Sequence, residues 1–409
     1  MRTIVLGAGV VGVCSAYYLH KAGHDVTVLE RRDAAGDGTS WGNAALLHPC
    51  SIQPWAAPGA MKKLLRWMGR EDAPMLLRPR AVPRMMPWGL AFLRAANAPA
   101  MQATTLHNLA LALETREAMA AIRAETGVAY DYVASHAIMP WSSLALRDAD
   151  AAAHEFMTTG GLRIEKLGRD QVTALDPAFA AIPADKLAGA VHFPQTDIGD
   201  CPSFAKGLVT WLAARGVEFR FGTTAQAVEL AGGRVAGVRT GDGTLKADSV
   251  VVALASDSKA MLAPLGIRLN VTPVKGVSFT IPREAWPDAP RWAVMDHERF
   301  YALTPVGERI RLSGSAEFGF TGADPTPARL DAVLRRAAEL FPAVTDAVRH
   351  PGTIRWAGFR PVMPKGRPVI GPTSVPGLYL NTGHGHMGWT LGAGSGQRLV
   401  TAMATRNAA

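Results

Sequence analysis

Gly7, Gly9 and Gly12 form the pattern Gly-x-Gly-x-x-Gly directly after the apolar run Thr3-Ile4-Val5-Leu6, and Glu30 closes the next apolar run, 18 residues beyond Gly12. These residue types at this spacing suit the binding of a dinucleotide. Glycine at 7 permits a tight turn, at 9 it lets the backbone approach a pyrophosphate, and at 12 it lets a helix pack close to a strand. The helix then points its positive end at the phosphates, through backbone N–H groups such as those of Val10 and Val11. A carboxylate at Glu30 suits a ribose hydroxyl and repels a 2′-phosphate, whereas Arg31 and Arg32 beside it act in the opposite sense.

A second glycine cluster, Gly383-His384-Gly385-His386-Met387-Gly388-Trp389-Thr390, stands near the other end of the chain. The first pattern does not separate FAD from NAD. The second favours FAD, because a glycine-rich helix N-terminus there would stabilise the anionic reduced flavin ring; the bland alternative is a tight strand–helix turn. His384 and His386 alternate as a metal-binding pair would, but no third ligand clusters with them, so no metal is expected.

The elements that must position these residues are legible in outline. Thr3–Leu6, the helix from Val13 to Ala22 and Asp25–Glu30 read as a βαβ unit. Phe204–Ala214 reads as a helix and Val217–Phe221 as a strand, with Val235–Val238 and Ser249–Leu254 continuing the same sheet. Gly377–Asn381 is a strand leading into the second cluster. Segments 132–141, 187–194, 274–281, 299–305 and 309–316 read as strands of another layer. Ala103–Thr126 and Pro327–Leu340 read as helices, the latter with Thr326 as N-cap and Pro327 at its first position. The expected class is α/β with an α+β substrate domain. A discontinuous Rossmann-like unit (1–58, 195–267 and 352–409) is interrupted by a mixed-sheet domain (59–194 and 268–351) whose segment 59–126 forms a helical lid.

Composition excludes several alternatives. With 48% apolar and 19% charged residues the chain has material for a large core. Its net charge of +9 favours anionic partners, but the basic residues are scattered, so nucleic acid is not expected. Cys14, Cys50 and Cys201 are too few and too far apart for a disulfide framework or a metal set. No signal peptide precedes the first strand and no apolar run reaches the about 18 residues that span a bilayer. A cytoplasmic protein is expected, with the inner face of the plasma membrane as the alternative location. Segment 54–100 bears on that choice. It carries Trp55, Trp67 and Trp88 beside Lys62, Lys63 and Arg66, which suits either core beneath a lid or a basic, aromatic face against lipid.

Several motifs together carry a resemblance. They are Ile4–Gly12, Pro54-Trp55-Ala56-Ala57-Pro58-Gly59, Gly199-Asp200-Cys201, Pro273-Val274-Lys275-Gly276, Phe359-Arg360-Pro361-Val362-Met363-Pro364 and Asn381–Thr390 followed by Gly394-Ser395-Gly396. The chain resembles the FAD-dependent D-amino-acid dehydrogenase small-subunit group, within the D-amino-acid oxidase, glycine oxidase and sarcosine oxidase superfamily. The resemblance implies FAD and oxidation of a D-amino acid to an imino acid, which water converts to a 2-oxo acid and ammonia. It also implies electron transfer to a quinone or other respiratory acceptor. The neighbouring reading is an oxidase or dehydrogenase of glycine, sarcosine, D-proline or hydroxyproline; a non-enzymatic flavin-binding subunit is the reading from another class. No counterpart of the cysteine that carries covalent flavin is evident, which favours noncovalent FAD. One departure is Ala255-Ser256-Asp257-Ser258, where the group usually has Ala-Gly and an aromatic residue.

Carried over by motif, Arg360 is the candidate for holding the carboxylate of an amino- or imino-acid substrate, since its planar fork binds both oxygens. Tyr301 would add a hydroxyl, or else serve as core. Arg299 reads as a rim charge. The resemblance places His386 on the substrate side and His384 against the flavin. Thr39, Ser40, Asn43, Ala44 and Ala45 would cradle the pyrophosphate and ring, together with Gly385, Met387, Gly388, Trp389 and Thr390. Lys275 is read either as a positive charge near the flavin or as the partner of a carboxylate on the sheet edge.

Overall fold

The computed structural model describes residues 1–320 and 322–408. Arg2–Leu6 is buried on both faces from Thr3 onward, as a central parallel strand must be. It pairs in parallel with Asp25–Leu29 on one side and Ser249–Val252 on the other. Leu378–Thr382 continues the sheet beyond Ser249–Val252, also in parallel. Glu218–Arg220 and an antiparallel strand, Val369–Pro372, form its edges. Helices Val10–Lys21, Cys201–Ala213 and Gly388–Ala408 cover this sheet, with Ala98–Thr126 packed against the last of them. Their apolar faces meet around Val13, Tyr17, Leu208, Leu212, Trp389 and Leu399.

Val235–Val238 does not continue this sheet. It belongs to Arg234–Thr240, the centre of a separate three-stranded antiparallel sheet with Ala227–Ala231 and Gly243–Lys246. Gly232 and Gly233, both at positive φ, make the reversal that turns the chain back on itself there.

The second layer is a ten-stranded sheet. Its central strands are Thr272–Pro282, Tyr301–Val306 and Arg309–Phe318, with Val133–Trp141 and Gly189–Ile198 further along. Ile354–Val362, grouped by the sequence with the dinucleotide unit, is hydrogen-bonded along its length to Thr272–Pro282 of this sheet. Helix Pro327–Ala338 covers one face, burying Leu330, Val333 and Ala337. Thr326 stands at its N-cap position, but its hydroxyl makes no capping bond and instead accepts from Lys275 Nζ at 3.0 Å. Segment 59–126 holds helices Ala60–Arg66, Val82–Ala95 and Ala98–Thr126, with the short strand Met75–Leu77 added to the large sheet. Among the described residues, no helix is long and apolar enough to cross a membrane.

Candidate active site

Parallel strands end at a common edge, and ligands of open α/β sheets bind there. Leu6, Leu29, Val252 and Thr382 end four neighbouring strands, so the turn after Leu6 and the turn after Thr382 open onto the same side. One cleft of about 1720 Å³ is lined by both, reaching from Gly7, Gly9, Val10, Val11 and Glu30 to Gly383, His384, Gly385, His386, Gly388 and Trp389. Two turns more than 370 residues apart in the chain thus share one cavity.

At the first turn, Glu30 Oε2 accepts from the Ala8 N–H at 2.8 Å and Oε1 from the Arg32 N–H at 3.0 Å. Arg31 faces the cleft in an ion pair with Asp257 at 2.9 Å. Thr39, Ser40, Asn43 and Ala44 line the middle. Ser40 Oγ accepts from the Val10 N–H at 3.2 Å, and Thr39 Oγ1 donates to the Phe359 carbonyl at 3.0 Å. Four expected contacts stand behind the wall rather than on it. A Cβ on Gly12 would lie 1.8 Å from the Gly7 carbonyl oxygen, so Gly12 serves helix–strand packing. Ala45, at φ 57°, is buried and gives its N–H to Asn43 Oδ1 at 2.8 Å. Met387 is core, and the Thr390 hydroxyl donates to the Leu46 carbonyl at 3.3 Å.

At the far end, Arg360 lies on the cleft wall and donates to the Ser315 carbonyl at 2.8 Å. Its guanidinium occupies the space where a Cβ of Gly276 would be, 2.3 Å from Nη1. Among the described residues no carboxylate pairs with Arg360. Burial draws its pKa down to about 10, which leaves it cationic at neutral pH. Tyr301 borders the cleft by its backbone, but its side chain is buried on the other face of the sheet from Arg360, with Leu330 and Val333 of helix Pro327–Ala338 and beside Asp296, as the core alternative requires. Burial, then the nearby Asp296 carboxylate, push its pKa well above the phenol value, so it remains a donor. His386 stacks on Trp55 with ring centroids 5.4 Å apart, and its Nε2–H donates to the Ser51 carbonyl at 3.1 Å.

The expected rim charge Arg299 and the undecided Lys275 both prove to be internal. Arg299 is buried and pairs with Asp296 and Glu339, each at 3.1 Å. Lys275, 1% exposed, points away from the cleft toward Glu317 at 3.6 Å, which selects the carboxylate-partner alternative. The cysteines are buried and unpaired, Cys50 included, although its sequence position suggests an incidental loop thiol. His48, His297, Gly276 and Ser256 also line the cleft. No motif marks the two histidines, and only the fold brings them to His386.

Residues 2–402 match the family described as FAD dependent oxidoreductase. The chain belongs to that family. Curated relatives of this oxidoreductase include the D-amino acid dehydrogenase of Paramagnetospirillum magneticum, 40% identical over 100% of this chain and 96% of the relative. That of Cereibacter sphaeroides is 42% identical over 98% and 91%. Among solved structures, glycine oxidase from Geobacillus kaustophilus superposes with TM-score 0.74 at 21% identity, covering 99% of this chain and 95% of that one. L-proline dehydrogenase from P. horikoshii gives 0.73 at 16%, covering 99% and 93%. These neighbours show a shared flavoenzyme fold.

The cleft fits the family's cofactor on grounds of its own. Gly9 leaves open backbone, with the Ser40 hydroxyl 3.6 Å from where a Cβ would stand. Buried polar atoms without a protein hydrogen-bond partner on the described lining residues include His48 Nδ1, Ser256 Oγ, Asn381 Oδ1, His384 Nε2 and Trp389 Nε1. Ser256 belongs to the segment that departs from the related group, and Ala255 there adopts φ 51°. Unsatisfied buried groups are costly, so a polar ligand along this wall offsets what the fold leaves open.

The histidines of the oxidoreductase have a measurable consequence. Burial lowers the pKa of His48 and of His384 from 6.5 to about 3. A depressed histidine pKa means that the unfolded chain takes up protons below 6.5 that the folded chain refuses. Stability is therefore undiminished above pH 6.5 and declines as pH falls from there toward 3. The expected result is a falling Tm between pH 6.5 and 4. Replacing His48 by Gln should make that slope shallower, by up to about 1.4 kcal/mol per pH unit for one proton. Parallel Tm–pH curves for the two proteins would refute it.

Proposed function

We propose that this oxidoreductase is an FAD-dependent D-amino acid dehydrogenase. The observation that carries the reading is a cation without a counter-ion, Arg360, on the wall of the cleft that joins the two glycine turns. A substrate carboxylate supplies that counter-ion, and the relatives at 40–42% identity are D-amino acid dehydrogenases.

When bound noncovalently along the cleft, FAD would supply the two-electron acceptor for oxidation of the amino acid at Cα, the imino acid product then hydrolysing to a 2-oxo acid and ammonia. The protein's contribution is placement. Arg360 fixes the carboxylate through its N–H donors; Tyr301, on the other face of the sheet, belongs to the core beneath helix Pro327–Ala338. Burial draws the His386 pKa down to about 4, so the imidazole is neutral during turnover and adds no second positive charge beside Arg360. Trp55 and Trp67 line the cleft and keep water from the reacting carbon. Gly7, Gly9, Glu30 and the Thr39–Ala44 loop would hold the dinucleotide end, and His384, Gly385, Gly388 and Trp389 the ring end.

The test is anaerobic mixing with a panel of amino acids. Flavin absorbance should bleach with D-amino acids and persist with their L-enantiomers; persistence with every amino and imino acid would overturn the reading. Bleaching by glycine, sarcosine or D-proline alone would favour the oxidase-type alternative.

We further infer that electrons pass to a membrane quinone. Helices Ala60–Arg66 and Val82–Ala95 contain no acidic residue and expose Leu65, Met86, Leu90 and Leu93 beside Lys62, Lys63, Arg66, Arg84 and Arg94. Such a face suits anionic lipid. The protein should sediment with vesicles containing phosphatidylglycerol, and Leu90→Glu with Leu93→Glu should abolish sedimentation without loss of flavin. Equal sedimentation of both proteins would refute the contact.

A further inference from the structure

Between Thr272–Pro282 and Arg309–Phe318 the register slips. Val277 faces Gly314 and Lys275 faces Glu317, so Ser315 and Ala316 together oppose Gly276. This is a β-bulge, and bulges re-aim backbone groups beside active sites. Ser315 occupies the left-handed region at φ 66°. The carbonyl it presents there accepts from Arg360 Nη1.

Glycine would meet that conformation more readily than serine. What the serine adds is its hydroxyl, which accepts twice from Arg329, from Nε at 2.9 Å and from Nη2 at 2.6 Å. Arg329 is 0% exposed. Its other bonds go to the carbonyls of Glu71, Ala73 and Pro74, at the foot of the lid. The Pro74 carbonyl also accepts from the Ala316 N–H at 3.0 Å, on the other residue of the bulge. A buried guanidinium thus binds the bulge to the lid, one residue removed from the guanidinium that faces the cleft.

We propose that Arg329, acting through the Ser315 hydroxyl, holds the bulge in the shape that aims Arg360 at the substrate carboxylate. Arg329 and Ser315 are positioning residues: Arg329 is not on the cleft wall, and Ser315, which is, has its hydroxyl turned to Arg329. The inference rests on the reading of Arg360 given under Proposed function.

The test uses the flavin-loaded full chain and propionate, the carboxylate that alanine becomes without its amino group. Binding is followed by the change in flavin absorbance. Arg329→Ala endangers folding, so the main variant is Ser315→Gly, which accepts the left-handed backbone and deletes only the hydroxymethyl group. Its Kd for propionate and its KM for a D-amino acid should rise about tenfold or more, with kcat within about twofold of wild type. Arg360→Ala, measured beside it, should lose propionate altogether. If Ser315→Gly binds propionate with wild-type affinity while Arg360→Ala does not, the relay is overturned and the reading of Arg360 stands. If Arg360→Ala itself binds normally, that reading falls and the relay with it. A Ser315→Gly protein that loses flavin or Tm, with an unchanged Kd in its loaded fraction, marks a structural serine and also overturns the proposal.

Discussion

Replacing Arg360 by alanine lowers kcat/KM for a D-amino acid by about a thousandfold. The magnitude follows from what the side chain is placed to do. Truncating one partner of a buried, hydrogen-bonded charge pair costs about 2–5 kcal/mol, and each 1.36 kcal/mol is about a factor of ten in rate. The whole loss should appear in substrate capture and orientation, so that propionate binding falls in step. Lysine at the position keeps the charge but not the fork, and should recover only part of the loss. Stability separates this account from a structural one. In the free protein Arg360 is a desolvated cation with one carbonyl partner, so it strains the fold. Arg360→Ala should therefore unfold at a temperature no lower than wild type. A fall of many degrees in Tm, with turnover per folded molecule unchanged, would make Arg360 a framework residue and remove it from the site.

What the sequence reveals about this site depends on how local the signal is. The βαβ start reads correctly because turn, helix and strand signals all lie within residues 2–30. The closing helix is announced by its own glycine cluster. Arg360 stands out by motif. In contrast, Val235–Val238 has the apolar character of either sheet, and only the Gly232-Gly233 reversal shows that it turns back on its neighbour. Thr326 has the right type and place for a cap, but Lys275, far away in sequence, takes its hydroxyl. Arg299 looks like a rim charge until Asp296 and Glu339 are brought around it. The bulge at Ser315, the Gly276 gap and the Arg329 clamp depend on register between strands tens of residues apart. No local pattern encodes that register, because a one-residue slip leaves the composition of each strand unchanged.

Gly12→Ala should empty the cofactor cleft. The added carbon would stand 1.8 Å from the Gly7 carbonyl oxygen and 2.9 Å from the Gly7 carbonyl carbon. Neither atom can yield cheaply, since both are backbone. Gly7 is itself held by its N–H to the Leu29 carbonyl at 2.8 Å, and at φ 99° it sits against the Ala253 carbonyl. The helix must therefore lift from the strand by about 1 Å or more, carrying with it Gly9 and Val10, which line the cleft, and the Val10 N–H bond to Ser40. Overpacking of this kind costs about 1–3 kcal/mol in the fold, occasionally more. The cofactor loses further, because its phosphates meet donors that no longer converge. The expected protein purifies with little flavin and a lowered Tm that added FAD does not restore. The molecules that do retain flavin turn over at nearly the wild-type rate, since Arg360 is untouched. Gly89→Ala is the matched control. It lies inside a helix with open space around it, so the same methyl should leave flavin content unchanged and raise Tm slightly. Full flavin occupancy in Gly12→Ala, measured by the ratio of flavin to protein absorbance, would show that the close approach of helix and strand is not what shapes the phosphate site.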